Sequence, residues 1–182
     1  NADQVEFLDA PPWDSDLDLT THTAEVELFE LSTGASRVGV STSATVVSVR
    51  EDSGFIQRCT ECRRVLRDGA CAEHGPNDGN ADIRLRLAID DGRSSVSLLT
   101  NKQATLSLLG MTESELQDTV NDLGQVAFVQ SLRGKMLGRT IKASGRTIVD
   151  EQGAMMLADG AAMVDEDAGL RATEIRAQWK VA

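Results

Sequence analysis

The chain has 182 residues and a mass of 19.5 kDa, which is enough for one substantial domain and a small appendage. It carries 18 Lys and Arg against 29 Asp and Glu, and its formal net charge is −11 at pH 7. No apolar run approaches the roughly 18 residues needed to cross a bilayer. These totals exclude a membrane span and, taken alone, argue against nucleic acid as a ligand.

The charge is distributed unevenly along the chain. Residues 1–36 contain nine acidic and no basic residues, whereas residues 37–149 contain fifteen basic and thirteen acidic residues. Within the second segment, residues 132–149 contain no Asp or Glu and five basic residues, namely Arg133, Lys135, Arg139, Lys142 and Arg146. A ligand responds to the local field, so this basic stripe keeps nucleic acid open as a partner. The acid excess and the scarcity of Lys suit a protein that stays hydrated in concentrated salt.

The N-terminal segment, residues 1–33, is predicted to be an acidic linker or the end of an upstream domain. The chain begins without Met and without the basic and apolar regions of a secretory signal. We therefore expect a cytoplasmic protein of which this chain is a fragment.

The cysteines are concentrated in one short segment. All three lie between residues 59 and 71, beside one of the two histidines. They form two pairs with two intervening residues each, Cys59 with Cys62 and Cys71 with His74. Three thiolates and one imidazole complete a tetrahedral shell around Zn²⁺ and leave no position for water. The spacing predicts a structural zinc site; three incidental buried thiols are the alternative.

The segments around the cysteines have the patterns of β-strands. Residues 38–49 are rich in Val, Thr and Ser, which predicts a long strand, and a bend at residues 52–54 leads into the cysteine segment. Residues 83–89 alternate, which predicts a strand with an apolar face and with Arg84 and Arg86 on the other face. A turn signal at residues 90–92 joins this strand to a second one at residues 95–100.

The pattern becomes helical from residue 101 to about residue 123, with a capping box at residues 112–115 that starts a second helix. A further apolar segment follows at residues 126–132, and residues 136–164 predict a second hairpin. The last segment, residues 165–182, predicts an amphipathic helix with an apolar stripe. That stripe requires a partner surface, and we assign it to subunit assembly; its residues are Leu170, Ile175 and Trp179.

This order of elements defines a fold class. Five strands with helix between the third and the fourth is the order of the OB-fold barrel, an all-β fold with minor helix. We predict an OB-fold domain over residues 34–164, with a zinc ribbon or knuckle inserted at residues 55–76 and a C-terminal helix at residues 165–182.

Four motifs resemble a known family. They are GFIQRCTECRRVL at residues 54–66, CAEHG at 71–75, DIRL at 82–85 and DDG at 90–92. They resemble the zinc-bearing OB-fold domain of the large subunit of archaeal replication protein A, and the acidic bias suggests a haloarchaeal member. The resemblance implies a non-enzymatic protein that binds single-stranded DNA without sequence preference in replication, repair and recombination. It also implies a structural zinc ion and other replication protein A subunits as partners.

Single-strand binders combine cations along the backbone with flat side chains on which bases stack. The predicted backbone contacts are Arg84, Arg86, Lys102, Arg133, Lys135, Arg139, Lys142 and Arg146, and the candidates for stacking are Phe55 and Phe128. Each cation has the alternative of a solvated surface charge, and each ring that of core packing. Aromatic residues make up 3% of the chain and Tyr is absent, so stacking is the weaker part of this prediction.

The sequence leaves two alternatives to DNA binding. The first is a subunit-assembly module with little DNA affinity of its own, which salt would distinguish because phosphate binding weakens as salt rises and apolar assembly does not. The second is a zinc-dependent hydrolase or deaminase. It is disfavoured because four protein ligands leave no open position on the metal.

Overall fold

The computed structural model describes residues 23–151 and 153–164, together with residues 173, 176 and 177. The strands of this part of the chain are β1 Ala24–Glu25, β2 Val40–Val49, β3 Gly54–Arg58, β4 Ala70–Cys71, β5 Gly75–Pro76, β6 Asn80–Arg84, β7 Arg86–Asp90, β8 Ser95–Thr100, β9 Thr140–Asp150 and β10 Gly153–Met163. The helices are α1 Leu28–Thr33, α2 Lys102–Leu109, α3 Glu113–Leu123 and α4 Gln125–Met136. None of these helices is long and apolar enough to span a membrane.

Five of the strands close into a barrel. β2 pairs with β7 on one side and with β9 on the other, β7 pairs with β8, and β10 joins β8 to β9. The β8–β10 pair is parallel and the other four pairs are antiparallel. A closed five-stranded barrel with helix between the third and fourth strands is an OB-fold, which confirms the predicted fold class.

The alternation predicted for the second barrel strand is present in the structure. Ile83, Leu85, Leu87 and Ile89 are 2% exposed or less and lie in the core. The strand bends at Leu85, whose N–H donates to the Thr100 hydroxyl at 2.9 Å, so that β6 pairs with β3 and β7 continues into the barrel. The bend carries β3 and β6 beyond the barrel wall, and the cysteine segment lies between them. We call residues 55–76 the Cys/His insertion.

The connection between β8 and β9 holds three helices: α2 and α3 lie in the segment that the sequence predicts to be helical, and α4 lies in the further apolar segment. The capping box is confirmed, because the Thr112 hydroxyl accepts from the N–H of Glu115 and the Glu115 carboxylate accepts from the N–H of Thr112. The apolar segment after it forms α4, which buries Phe128 and Leu132 against the core. Both residues lie on one face because four positions make about one helical turn.

The chain around the predicted domain boundary packs on the barrel. β1 pairs with β2, and α1 buries Leu28 and Leu31 in the same core as the barrel strands, so the packed unit includes residues before position 34. The domain division itself stays a prediction. Residues 1–22 lie outside the described residues. So do the predicted assembly residues, which are Leu170, Ile175 and Trp179; of the predicted tail helix, residues 173, 176 and 177 are described as helical and exposed.

Candidate metal centre and nucleic-acid interface

The four predicted ligands come together. One donor atom of each of Cys59, Cys62, Cys71 and His74 lies within 4.8 Å of the others. The Cys59 and Cys71 sulfurs are 3.5 and 3.6 Å from His74 Nδ1, and the Cys62 and Cys71 sulfurs are 3.5 Å apart. In a tetrahedral zinc site, metal bonds of about 2.0 to 2.3 Å place ligand atoms about 3.5 to 3.8 Å apart. The cluster therefore fits Zn²⁺, and no fifth donor is needed.

Two tight turns present these ligands to one another. In the first, the N–H of Arg63 donates to the carbonyl of Cys59 at 3.0 Å, and Arg63 has a φ of 60°. In the second, β4 and β5 pair Cys71 with Gly75, whose φ of 70° suits a residue without a side chain. Each turn brings its two ligands to the same side of the backbone, so the pair spacing in the sequence is sufficient to build half of the site.

The local electrostatics act differently on the four groups of the cluster. The backbone N–H groups of Glu73 and His74 lower the pKa of the Cys71 thiol to about 6. The N–H of Cys62 likewise lowers the pKa of Cys59. Contacts with the Cys71 and Cys59 sulfurs raise the pKa of His74. Zinc binds thiolate rather than thiol, so the lowered pKa values of Cys59 and Cys71 favour metal binding at neutral pH. The N–H of Arg64 lowers the pKa of Cys62, but burial and the neighbouring thiols raise it overall. The raised pKa values of Cys62 and His74 favour their protonated forms, with which a metal ion competes.

A second feature lies on the outer surface of the barrel. Arg86 on β7 pairs with Leu99 on β8, Leu99 pairs with Leu157 on β10, and Leu157 pairs with Arg146 on β9. Paired residues point to the same side of a sheet, so these four side chains form one row across four strands. The adjacent row, which begins at Leu87, is buried in the core. The outer row is half-buried at its two leucines and has a guanidinium at each end.

Three residues of this row line a groove, and Arg86 lies beside it as the register partner of Leu99. Arg58, Leu99, Arg146 and Leu157 line it together with Thr100, Asn101, Ala158 and Asp159. At Arg58 the groove adjoins a second depression against the Cys/His insertion, lined by residues that include Cys59, Arg63, Asp82 and Lys102. We call this continuous surface the groove. It combines an apolar floor with four cations, which are Arg58, Arg63, Lys102 and Arg146, and with two acidic residues, Asp82 and Asp159. Arg58 is paired with Asp82 and Lys102 with Glu113, and the candidate metal centre makes one edge.

Three further cations predicted to contact DNA, Arg84, Arg86 and Lys102, form ion pairs within the chain. Arg84 and Arg86 both donate to one oxygen of Asp52 at 2.9 Å, and Lys102 pairs with Glu113. These cations lie at the groove or beside it, but each already has an anionic partner within the chain.

The basic stripe of residues 132–149 does not form one surface. Arg133 is on α4, where its Nε donates to the carbonyl of Val49 at 3.2 Å, and Lys135 is exposed on the same helix. Arg139 lies just before β9, and the Lys142 ammonium on β9 is 3.9 Å from the Glu25 carboxylate. Arg146 is the member of the stripe that lines the groove. The helix at residues 125–136 separates these charges because side chains along a helix and along a strand follow different periods.

The two stacking candidates differ in position. Phe128 is 2% exposed and belongs to the core, so it cannot stack on a base; its position on the buried face of α4 is the reason. Phe55 is half-buried on β3 beside the core.

Sequence reasoning missed four groove residues. Leu99 and Leu157 each follow a core residue directly, at Leu98 and Met156. Two adjacent apolar residues in an alternating strand are a signal that both faces make contacts. The other two are Arg58 and Arg63, which the sequence places next to the first cysteine pair.

No protein-family model and no curated protein matches this chain. Among solved structures, a chain of a replication protein A heterotrimer bound to ssDNA is similar with a TM-score of 0.53 and 16% identity, covering 85% of this chain and 39% of that chain. For yeast replication protein A bound to ssDNA, the TM-score is 0.45 and the sequence identity 17%, and the similarity covers 78% of this chain and 85% of that chain. For the second OB-fold domain of replication protein A from Methanococcus maripaludis, the TM-score is 0.44 and the sequence identity 12%, and the similarity covers 79% of this chain and 98% of that chain.

These similarities concern the fold. The first of them extends over most of the present chain, which spans 39% of the replication protein A chain that it matches. Together with the barrel topology, it shows that the class of fold is the OB-fold. The Cys/His insertion lies between the first and second barrel strands, outside the five-stranded barrel itself.

Proposed function

We propose that this chain binds single-stranded DNA without sequence preference, as part of a replication protein A-like complex in DNA replication, repair and recombination. The observation that carries the proposal is the row from Arg86 through Leu99 and Leu157 to Arg146. Guanidinium groups at both ends bind backbone phosphates, and the leucine floor between them accepts the faces of bases. A base packed on leucine gains less than one stacked on an aromatic ring, so we expect binding that depends strongly on salt.

The proposed role of the metal is structural. Zn²⁺ held by Cys59, Cys62, Cys71 and His74 orders the Cys/His insertion and thereby fixes Arg58 at the groove. Four protein ligands complete the tetrahedron, so the site supports binding rather than hydrolysis or deamination. The similarity in fold to a structure of replication protein A bound to ssDNA supports a binding function over an enzymatic one.

The test is a fluorescence-anisotropy titration of labelled oligothymidine over a salt series, with duplex DNA as competitor. We expect saturable binding that prefers single strands and weakens as salt rises. Arg146→Glu should reduce affinity about tenfold at low salt, because it replaces a phosphate contact with a repulsive charge.

Arg93→Glu is the matched control. Arg93 is exposed in the bend before β8, where it pairs with Glu27, and it is not among the residues that line the groove. Both variants change the net charge equally, so equal losses would assign the binding to total charge rather than to the groove. Absence of binding by the folded, zinc-loaded chain at every salt would favour the assembly function instead.

A further inference from the structure

Asp52 occupies the position of a bound anion beside Arg84 and Arg86, in a cleft at the Arg86 end of the row. It belongs to the turn between β2 and β3, and one of its carboxylate oxygens accepts from Arg84 Nη2 and from Arg86 Nη1, both at 2.9 Å. Arg86 is the end of the row that continues through Leu99. A single oxygen that receives two guanidinium groups has the same role as a phosphate oxygen.

The Asp52 carboxylate neither fills all the hydrogen-bond donors of the two arginines nor neutralises both of their charges. The Arg84 side chain is 13% exposed, and its Nε is buried without a hydrogen-bond partner among the described residues. Two guanidinium groups share one carboxylate, which leaves a net positive charge. Glu51 lines the same cleft, but its carboxylate is 3.7 Å from Arg133 on the other side.

The cleft around this cluster has room for a ligand. It measures about 810 Å³ and lies between the Cys/His insertion and the start of α4, with Phe55 and Ile56 among its apolar lining and Arg67 and Asp78 among its charged lining. The Asp52 side chain is 46% exposed at this cleft, so it is free to move away from the arginines without disturbing the core.

We propose that Asp52 is an internal substitute for a nucleic-acid phosphate, and that Arg84 and Arg86 form a phosphate subsite which DNA fills by displacing the Asp52 carboxylate. This inference rests on the proposed function. In the free chain Asp52 neutralises part of the charge of a half-buried arginine pair. In the complex the displaced carboxylate lies close to the phosphate and opposes it, so Asp52 holds the affinity for DNA below what the two arginines alone would give.

The experiment compares wild type with Asp52→Asn in oligothymidine titrations from low to high salt. The amide keeps the size of the side chain but removes its charge. We expect about threefold to tenfold tighter binding at about 0.1 M salt, and a log–log salt slope steeper by about 0.7, since one more phosphate contact is made without competition. Asp118→Asn, on the exposed side of α3, removes the same charge elsewhere and should leave the affinity within about twofold.

A double variant shows whether the effect passes through the arginines. In an Arg86→Gln background the gain from Asp52→Asn should shrink, because one of the released donors is missing. Weaker or unchanged binding by Asp52→Asn, or an equal gain in both backgrounds, would overturn the subsite. If wild type and all variants fail to bind, the proposed function fails; if wild type binds and Arg146→Glu weakens it while Asp52→Asn gives no gain, the subsite alone fails.

Discussion

Leu99 and Leu157 show how a single position decides between core and ligand surface. Each follows a buried neighbour in the chain, and strand geometry sends the two side chains to opposite sides of the sheet. An outward leucine in a barrel wall exposes apolar surface that water does not favour. In the proposed complex with single-stranded DNA, a flat base covers that surface.

Replacing Leu157 with an aromatic residue should strengthen binding. Leu157→Phe places a ring between Leu99 and Arg146. Stacking on aromatic side chains is worth roughly 1 to 3 kcal/mol per base, so oligothymidine affinity should rise severalfold in anisotropy titrations. Val126→Phe adds a ring at an exposed position on α4, away from the groove, and should leave the affinity unchanged. Equal gains from both variants would contradict the position assigned to the bases.

Asp91 is a single residue that stabilises the fold. Its carboxylate accepts from the N–H of Leu28 at 3.0 Å and from those of Arg93 and Ser94 at 2.9 Å, which fixes α1 to the turn between β7 and β8. Burial opposes ionisation of Asp91, but these three N–H donors outweigh it and lower the pKa of the carboxyl below its ordinary 3.8.

Asp91→Ala should therefore cost about 2 kcal/mol of unfolding free energy at pH 7. A lowered pKa in the folded state means that this stabilisation is present above the ordinary pKa and is lost as pH falls through the lower, folded value. Urea unfolding of wild type and variant should show a difference that is constant from pH 5 to pH 7 and shrinks below about pH 4. Asp118→Ala, on an exposed helix face, should show no such difference at either pH. A gap that persisted undiminished at pH 2 would show that ionised Asp91 is not its source.

At the scale of elements, the Cys/His insertion and the barrel depend on different forces. The barrel strands share a continuous apolar core, whereas of the insertion's residues Cys59 and Cys71 are the buried ones. So short a segment lacks the apolar area to fold by burial alone, so the proposed zinc ion would supply most of its order.

Removal of zinc should loosen the insertion first. Chelation is expected to abolish hydrogen-exchange protection over residues 59–74 while the protection of β8 and β10 persists. Because Arg58 and Arg63 lie at the insertion's edge of the groove, the same treatment should weaken oligothymidine binding severalfold. Restoring Zn²⁺ should reverse both effects. Unchanged protection over residues 59–74 after chelation would remove the basis for the metal assignment.

At the scale of the whole molecule, the net charge of −11 acts against both folding and DNA binding. Like charges at the surface repel one another, and salt screens that repulsion. In the proposed function, Arg146 and the other cations of the groove provide the local positive charge with which an acidic protein could bind a polyanion. Folding and binding should consequently respond to salt in opposite directions.

Thermal unfolding tests that opposition. The Tm should rise as KCl is increased from about 0.05 to 1 M, because screening reduces the repulsion among 29 acidic residues. Over the same range the affinity for oligothymidine should fall. A Tm that fell with added KCl would show that attractive ion pairs outweigh the acidic repulsion.

The sequence by itself determined the features that depend on neighbours along the chain. The four metal ligands are two local pairs, the capping box spans four residues, and the strand alternation follows from a period of two. Each could be predicted because the interacting groups lie within a few residues of one another.

Only the tertiary structure decided which distant residues meet. Arg86 and Arg146 are sixty positions apart in the chain and become ends of one row through the register of four strands. The basic stripe is continuous in sequence, yet a helix and a strand divide it. Asp52 reaches Arg84 only because a bent strand returns to the turn before the Cys/His insertion. Register and strand bending depend on how the whole core packs, and a periodic pattern specifies a face without specifying the residue opposite it.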